Sequence, residues 1–434
     1  MKTLPFIFFI FTSFVAVVSH AAVDIQHWTT DSGARVYFVE NHDLPILDVS
    51  VNFPAGSARD TAATSGVAGV TRYMMKLGAG GMNEEDITNA FADIGAQLGG
   101  SFDSDKAGFS LRTLASEQAK ALDTFKKILH QPDFPKAVLT REKTRIISGL
   151  KEAETQPASI ADKAFMKALY GDHPYGLEGS GEVDTVSKIN VDDLRQFYQT
   201  YYSAKSAVIA LIGDMTKAQA QEVAESLSAG LPQGATVPKI IAVNALAGPS
   251  MQRIAHPASQ AHILLGHPGK RRGDPDYFAL YVGNYILGGG GFVSRLTEEV
   301  REKRGLVYSV YSYFIPMAEN GPFQIGLQTK KEQADEALKV VNETVAKFVK
   351  KGVTKKELQA AKDNIIGGFP MRIDSNKKIL GYLGMIGFYE LPLTYLEDFN
   401  KQVGKVTVKQ VNDAFKRRVH LDGFATVVVG AATE

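Results

Sequence analysis

LRTLASEQAKAL, residues 111–122, recurs without gaps as LQTKKEQADEAL at 327–338, an offset of 216. Ile146-Ile147 followed by Ser-Gly returns as Ile365-Ile366 followed by Gly-Gly, at 219. TVSKINVDDLRQFY (185–198) matches QVGKVTVKQVNDAF (402–415) at 217, and IALIG (209–213) matches TVVVG (426–430) at 217 again. Unrelated amphipathic helices would not keep nearly one offset through successive matches in the same order. The chain therefore reads as two copies of one domain.

Both copies follow one plan. Arg35–Val39 and Ile46–Phe53 read as strands in the first copy and His262–Gly266 in the second. A helix follows (67–77; 277–287), then further strands and a long amphipathic helix. Leu122, Phe125 and Leu129 form the buried stripe of that helix in copy one. Leu338, Val341, Val345 and Phe348 form it in copy two, where Gly352 stops the helix. A helical pair and a last apolar strand close each copy. The predicted fold class is α+β (mixed α/β), with two homologous lobes, each a sheet covered by helices. The domains are expected at 23–232 and 251–434. The linker at 233–250 falls in LPQGATVPKIIAVNALAGPS, which is rich in Pro, Gly and Ala. It is short enough to hold two lobes facing each other as a hinge would.

Composition excludes several function classes. Among 434 residues, 48 Lys plus Arg balance 47 Asp plus Glu, so no strong field draws the protein to nucleic acid or an anionic membrane. Lys270-Arg271-Arg272 reads as a solvated turn. There is no cysteine, hence no disulfide, thiolate chemistry or lipid-attachment cysteine. MKTLPFIFFIFTSFVAVVSHAA (1–22) reads as a secretory signal peptide cut near Ala21 or Ala22, with an uncleaved anchor as the alternative. After cleavage the expected location is a bacterial periplasm, with no membrane attachment.

SGVAGVTRYMMKLGAGG (65–81) reads as a helix stopped by glycines, with Gly69 and Tyr73 one turn apart and Arg72 between them. Together with its upstream residues (GSARDTAATSGVAGVTRYMMKLGA, 56–79), it resembles the zinc-helix entry of the M16 metallopeptidases, the insulinase, pitrilysin and mitochondrial processing peptidase superfamily. HPYG (173–176) with EGSGEVDTVSKINVDDLRQFYQTYY (178–202) resembles that family's mid-domain run. NYILGGGGFVSRLTEEVREKRGLVYSVYS (284–312) resembles its second-domain signature. The resemblance covers essentially all of the mature chain and implies two lobes enclosing a peptide-binding clamshell chamber.

Peptide-cleaving members of the family share an inverted motif, His-x-x-Glu-His. Two imidazoles one helical turn apart bind zinc, the Glu takes a proton from its water, and a later helix adds a carboxylate ligand. Aligned on that motif, Gly69 and Tyr73 stand where the His residues belong and Arg72 where the Glu belongs. The later Glu pair aligns with Ser148 and Gly149 in REKTRIISGLKEAE (141–154). None of the nine His residues forms an i, i+4 pair, and Glu152 alone would not hold a metal. His262 reads as strand and His267 as the turn after it. A protonated guanidinium at the metal position repels a divalent cation, or it pairs with the facing helix. The expectation is a degenerate zinc site, with no metal or other cofactor bound by this chain.

The resemblance also implies what is kept. Arg301 and Tyr308 match the family's substrate-clamping and transition-state-stabilising pair, and such donors suit a tetrahedral oxyanion. Spacing alone also allows Tyr308 to be a core strand residue and Arg301 a helix-surface cation. Leu98, Gly99, Gly100, Ser101 and Phe102 match the region where relatives present a strand edge to peptides; a plain turn between a helix at 84–96 and a strand at 107–113 is the alternative. Gly288–Gly291 reads either as a flexible substrate loop or as a close-packed helix end. The implied function is the non-zinc subunit of a periplasmic heterodimeric M16 zinc endopeptidase. Arg301 and Tyr308 would complete a composite site whose zinc lies on a sibling subunit, with unfolded peptides as substrates. A homodimer is the alternative assembly, and an inactive peptide-binding or scaffold protein the alternative function.

Overall fold

The computed structural model of the protein describes residues 23–430. The signal peptide expected at 1–22 lies outside the described residues. The first half runs β1 (Gln26–Thr29), β2 (Arg35–Glu40), β3 (Ile46–Phe53), α1 (Val67–Met74), β4 (Gly78–Ala79), β5 (Met82–Asn83), α2 (Glu84–Ala92), β6 (Gln97–Phe102) and β7 (Ala107–Leu114). It continues with α3 (Gln118–His130), α4 (Lys136–Ala153), α5 (Pro157–Tyr170), α6 (Val183–Lys188), α7 (Val191–Tyr201), β8 (Val208–Gly213) and α8 (Lys217–Ala229). The second half runs β9 (Ser250–Ile254), β10 (Gln260–Lys270), α9 (Tyr277–Asn284), β11 (Val307–Phe314) and β12 (Gly321–Lys330). After these come α10 (Ala334–Lys351), α11 (Lys355–Gly368), α12 (Asn376–Phe388), α13 (Tyr395–Lys405), α14 (Val408–Arg418) and β13 (Ala425–Val429).

The repeat becomes two sheets of matching order. The first is β1-β2-β8-β3-β7-β6 and the second β9-β13-β10-β12-β11. In each, the last strand of the copy inserts antiparallel to the first long strand and parallel to the strand before it. The central strands explain this placement. VIALIG of β8 is buried at every position and ILDVSVNF of β3 at all but its first, so both need neighbours on each side and cover on both faces. QLGGSF of β6 is mostly open and takes an edge. The helix expected over 67–77 ends at Met74, and the one over 277–287 runs to Asn284 before widening into a π-helical stretch at Tyr285–Gly289. The turn placed after Gly266 is instead strand: β10 continues through His267 to a bulge before Lys270.

The halves are joined by more than the linker. Helix α12 of the second half lies on β2, β3 and β8 of the first, and α5 of the first lies on β10 and β13 of the second. Leu380, Leu383 and Ile386 share one apolar core with Tyr37, Val208 and Ile212, while Phe165 and Leu169 share another with Leu264 and Val427. Gly387 permits the first contact, since a side chain there would strike the Tyr37 ring and Val208. Each half thus gives the helix at the same place in the repeat to the other's sheet. A hinge about the linker is not what this arrangement provides, because both sheets would lose a covering helix on opening.

Candidate functional site

Helix α1 presents two faces. Val67, Ala68, Val70 and Met74 are buried in an apolar core with Phe53, Phe109 and Phe125, Thr71 is buried beside them, and Gly69, Arg72 and Tyr73 fall on the other side, toward β6 and α4. The N-terminus starts from Gly66 at φ 98°, a left-handed value that favours glycine. Asp60, itself buried, accepts the Gly66 amide at 2.9 Å and the Ala68 amide at 3.0 Å.

The space for a metal ligand at position 69 is taken. A Cβ on Gly69 would lie 3.3 Å from the Phe102 ring of β6 and 3.3 Å from the Gly179 carbonyl, so an imidazole there would have to displace the Phe102 ring. The Arg72 guanidinium lies with Cζ 5.0 Å from the Phe109 ring centroid, and its Nη2 reaches the Gly108 carbonyl at 3.4 Å. It fills the volume that a side chain on Gly100 would need. Its Nε is buried without a hydrogen-bond partner among the described residues, and burial lowers its pKa. The alternative reading of Arg72, an ion pair with the facing helix, is not met among the described residues. Tyr73 packs between the Lys76 ammonium and the Arg145 guanidinium, 4.8 and 5.0 Å from its ring centroid.

The α4 positions supply no ligand either. The Ser148 hydroxyl donates to its own helix at Thr144 O, 3.0 Å away, and the Cβ direction of Gly149 opens on empty space. The buried carboxylate of α4 is Glu142, which accepts from Arg141 Nε at 2.8 Å and Arg145 Nε at 2.7 Å. Burial alone would raise its pKa; the two guanidiniums overcome that and lower it. His262 and His267 lie five apart on β10 and so face opposite sides. Among the described residues no group of three or more His, Asp or Glu is arranged to hold a metal ion. A glycine without a donor, a phenol and a permanent cation do not fit zinc.

The remaining sequence-predicted positions sort as follows. Leu98, Gly99, Gly100, Ser101 and Phe102 form most of β6, which pairs with β7 on one side, Leu98 opposite Leu111 and Phe102 opposite Ala107. The other side of β6 carries no strand among the described residues. The turn alternative is therefore replaced by an edge strand. Gly99 and Gly100 are exposed, as is Gln97 before them, while Leu98 and Phe102 pack on the core. Tyr308 is 84% exposed, so it is no core residue; a bulge between Val307 and Val310 breaks the β11 ladder and turns its side chain outward. Arg301 Cζ lies 5.4 Å from the Tyr308 ring centroid and 4.8 Å from that of Phe292, so the structure brings Arg301 and Tyr308 together. Within the glycine run, Gly288 is buried against Ser312 and Leu296, whereas Gly291 adopts φ 60° and faces open space. The close-packed reading thus holds at Gly288, the inner end of the run.

Three groups were not singled out from sequence: Asp60, Glu142 and Asp105. The Asp105 carboxylate is buried, accepting from Tyr175 Oη at 2.5 Å, Tyr389 Oη at 2.8 Å and the Ala318 amide at 2.8 Å. Burial first, then the Asp105 charge, pushes the Tyr175 and Tyr389 phenols up. Only the Tyr175 of HPYG carried a signal, through its motif.

Residues 35–181 match the insulinase family of peptidases (peptidase family M16), and residues 188–365 match the peptidase M16 inactive domain. A crystal structure of a peptidase M16 inactive domain from Pseudomonas fluorescens superposes with a TM-score of 0.91 at 39% identity, covering 94% of this chain and 98% of that one. An uncharacterized zinc protease of Bacillus subtilis is 24% identical over 93% of this chain and 98% of its own length. A non-peptidase homolog of Helicobacter pylori is 25% identical over 91% of each chain.

Proposed function

The chain belongs to the M16 peptidase family as an inactive-type homologue, and from that premise we propose that it is the non-zinc subunit of a heterodimeric zinc endopeptidase. Zinc and the water-activating Glu are supplied by a sibling subunit with an intact His-x-x-Glu-His helix, and this chain binds no metal. The assembly works in the periplasm on unfolded peptides, which add as a strand to the open edge of β6. Arg301 and Tyr308 are donated to the composite site, the phenol to the oxyanion and the guanidinium to substrate carbonyls.

One observation carries this reading. Arg301 and Tyr308 lie together, with Tyr308 84% exposed, in a chain whose metal positions are occupied by Phe102 and Arg72. An exposed tyrosine stacked on a guanidinium gains little for the fold, so a surface that covers both explains them better. The open β6 edge would serve equally in a protein that binds peptides without cleaving them, which makes peptide binding the second reading.

The test is reconstitution with a zinc-bearing sibling. The chain alone should hold no stoichiometric zinc and cleave nothing, and the complex should cleave unfolded peptides. Tyr308→Phe in the complex should lower kcat about 10²-fold, as loss of one oxyanion donor does. Unchanged turnover by that variant would sink the donation of Tyr308. Peptide capture with no turnover in the presence of the sibling would select the second reading.

A further inference from the structure

The metal position has been refilled with positive charge. Arg72 occupies the place of the base, Lys76 follows one turn later, and Arg145 reaches in from α4. Arg145 and Arg141 take up the two neighbouring carboxylates, Glu142 and Glu84, at 2.6 to 2.8 Å. Neither Arg72 nor Lys76 forms an ion pair among the described residues, and Arg72 Nε has no partner of any kind there. Burial lowers the Lys76 pKa, and repulsion from Arg72 and Arg145 adds to it. Partly buried cations without a counter-charge are costly, and the missing component is an anion.

The position of these cations suggests which anion. Arg72 Nη2 sits where a side chain on Gly100 would be, which sets the guanidinium against the edge strand β6, while it donates to Gly108 O of the neighbouring β7. Gly100 is also among the most open residues of β6. We propose that Arg72 and Lys76, supported by Arg145, form a carboxylate site that holds the C-terminus of a peptide laid along β6. The site supplies fixed positive charge where relatives place a metal. A guanidinium that stays protonated cannot serve as a base, so this site anchors the peptide and leaves its cleavage to the sibling's zinc. The inference rests on the reading that peptides add to the β6 edge.

A short uncharged peptide is titrated into the chain without its partner, once with a free C-terminal carboxylate and once amidated. A third, amidated peptide carries an internal Glu, so that side-chain and terminal carboxylates are told apart. The free acid should bind about tenfold tighter at low ionic strength, as charge-assisted hydrogen bonds provide, and the preference should shrink as salt rises. Arg72→Gln and, independently, Lys76→Gln should each reduce the preference severalfold while leaving the amide's affinity unchanged. The Lys76 variant guards against misfolding of the more buried Arg72 variant. Equal affinity for acid and amide overturns the carboxylate site and leaves the strand edge standing. Tighter binding of the internal Glu peptide than of the free acid overturns the terminal assignment. No binding of any peptide overturns both readings, and a preference that survives both substitutions overturns the residues named.

Discussion

At Asp60 the chemistry of one side chain decides how α1 begins. Both of its oxygens are committed to backbone amides, and burial pushes its pKa up to about 7, with those two amides opposing the rise. The folded pKa therefore exceeds the unfolded value of about 3.9. The folded state binds the extra proton between these values, so this group's contribution is full below about pH 4 and is lost as pH rises toward 7. Asp60→Asn removes that titration and leaves one acceptor for two amides, a cost of about 1 kcal/mol. The thermal midpoint of the wild type should fall relative to that of the variant between pH 4 and 7. Parallel curves over that range would exclude a raised pKa. Nothing in the sequence marked Asp60, because it caps across a turn and falls outside the usual N-cap spacing.

Among the elements, β6 shows what pattern reading can and cannot reach. The stripes of α3 and α10 were legible because their apolar residues recur at helical spacing and bury on one side. β6 was ambiguous because QLGGSF has two glycines and a half-open pattern, which a turn would also show. β9 and β1 were missed for a similar reason: SMQRI and QHWT are short and partly exposed, and only their neighbours define them as strands. The bulge that turns Tyr308 outward carries no mark of its own in VYSVYSYF, where Tyr308 is spaced from Leu306 and Val310 as a strand residue on their face would be. The glycines of β6 have a stricter use than flexibility. A methyl on Gly100 would collide with the Gly108 carbonyl and with the Arg72 guanidinium. The first obstacle is backbone and cannot swing away, so Gly100→Ala should destabilise the protein by about 2 kcal/mol, in the range of overpacking. A lowered urea midpoint with an unchanged m-value is the expected result, and an unchanged midpoint would show that β6 shifts freely.

For the whole molecule, the repeat made two similar sheets legible, but the exchange of α5 and α12 was not. An apolar helix face states that it will be covered and does not state by which sheet. The exchange has a mechanical consequence. Tyr175 and Asp105 of the first half meet Tyr389 and Ala318 of the second around one buried carboxylate, and this tie lies just beyond the end of β6. The same tie holds the turn between β11 and β12, so the hairpins that carry the β6 edge and Tyr308 share one anchor. The segment between α8 and β9 adds its own contacts, with Ile240, Val243 and Leu246 packed on the core shared by α5 and the second sheet. Cutting it should therefore not free the halves. With a protease site placed at the exposed Lys239, the nicked chain should elute at its uncut size under native conditions and separate only in denaturant. Unfolding of the intact chain should proceed as one transition, because neither sheet keeps its cover once the other half has left. Native separation of the fragments, or two resolved transitions, would mean that the exchanged helices do not bind the halves into one unit.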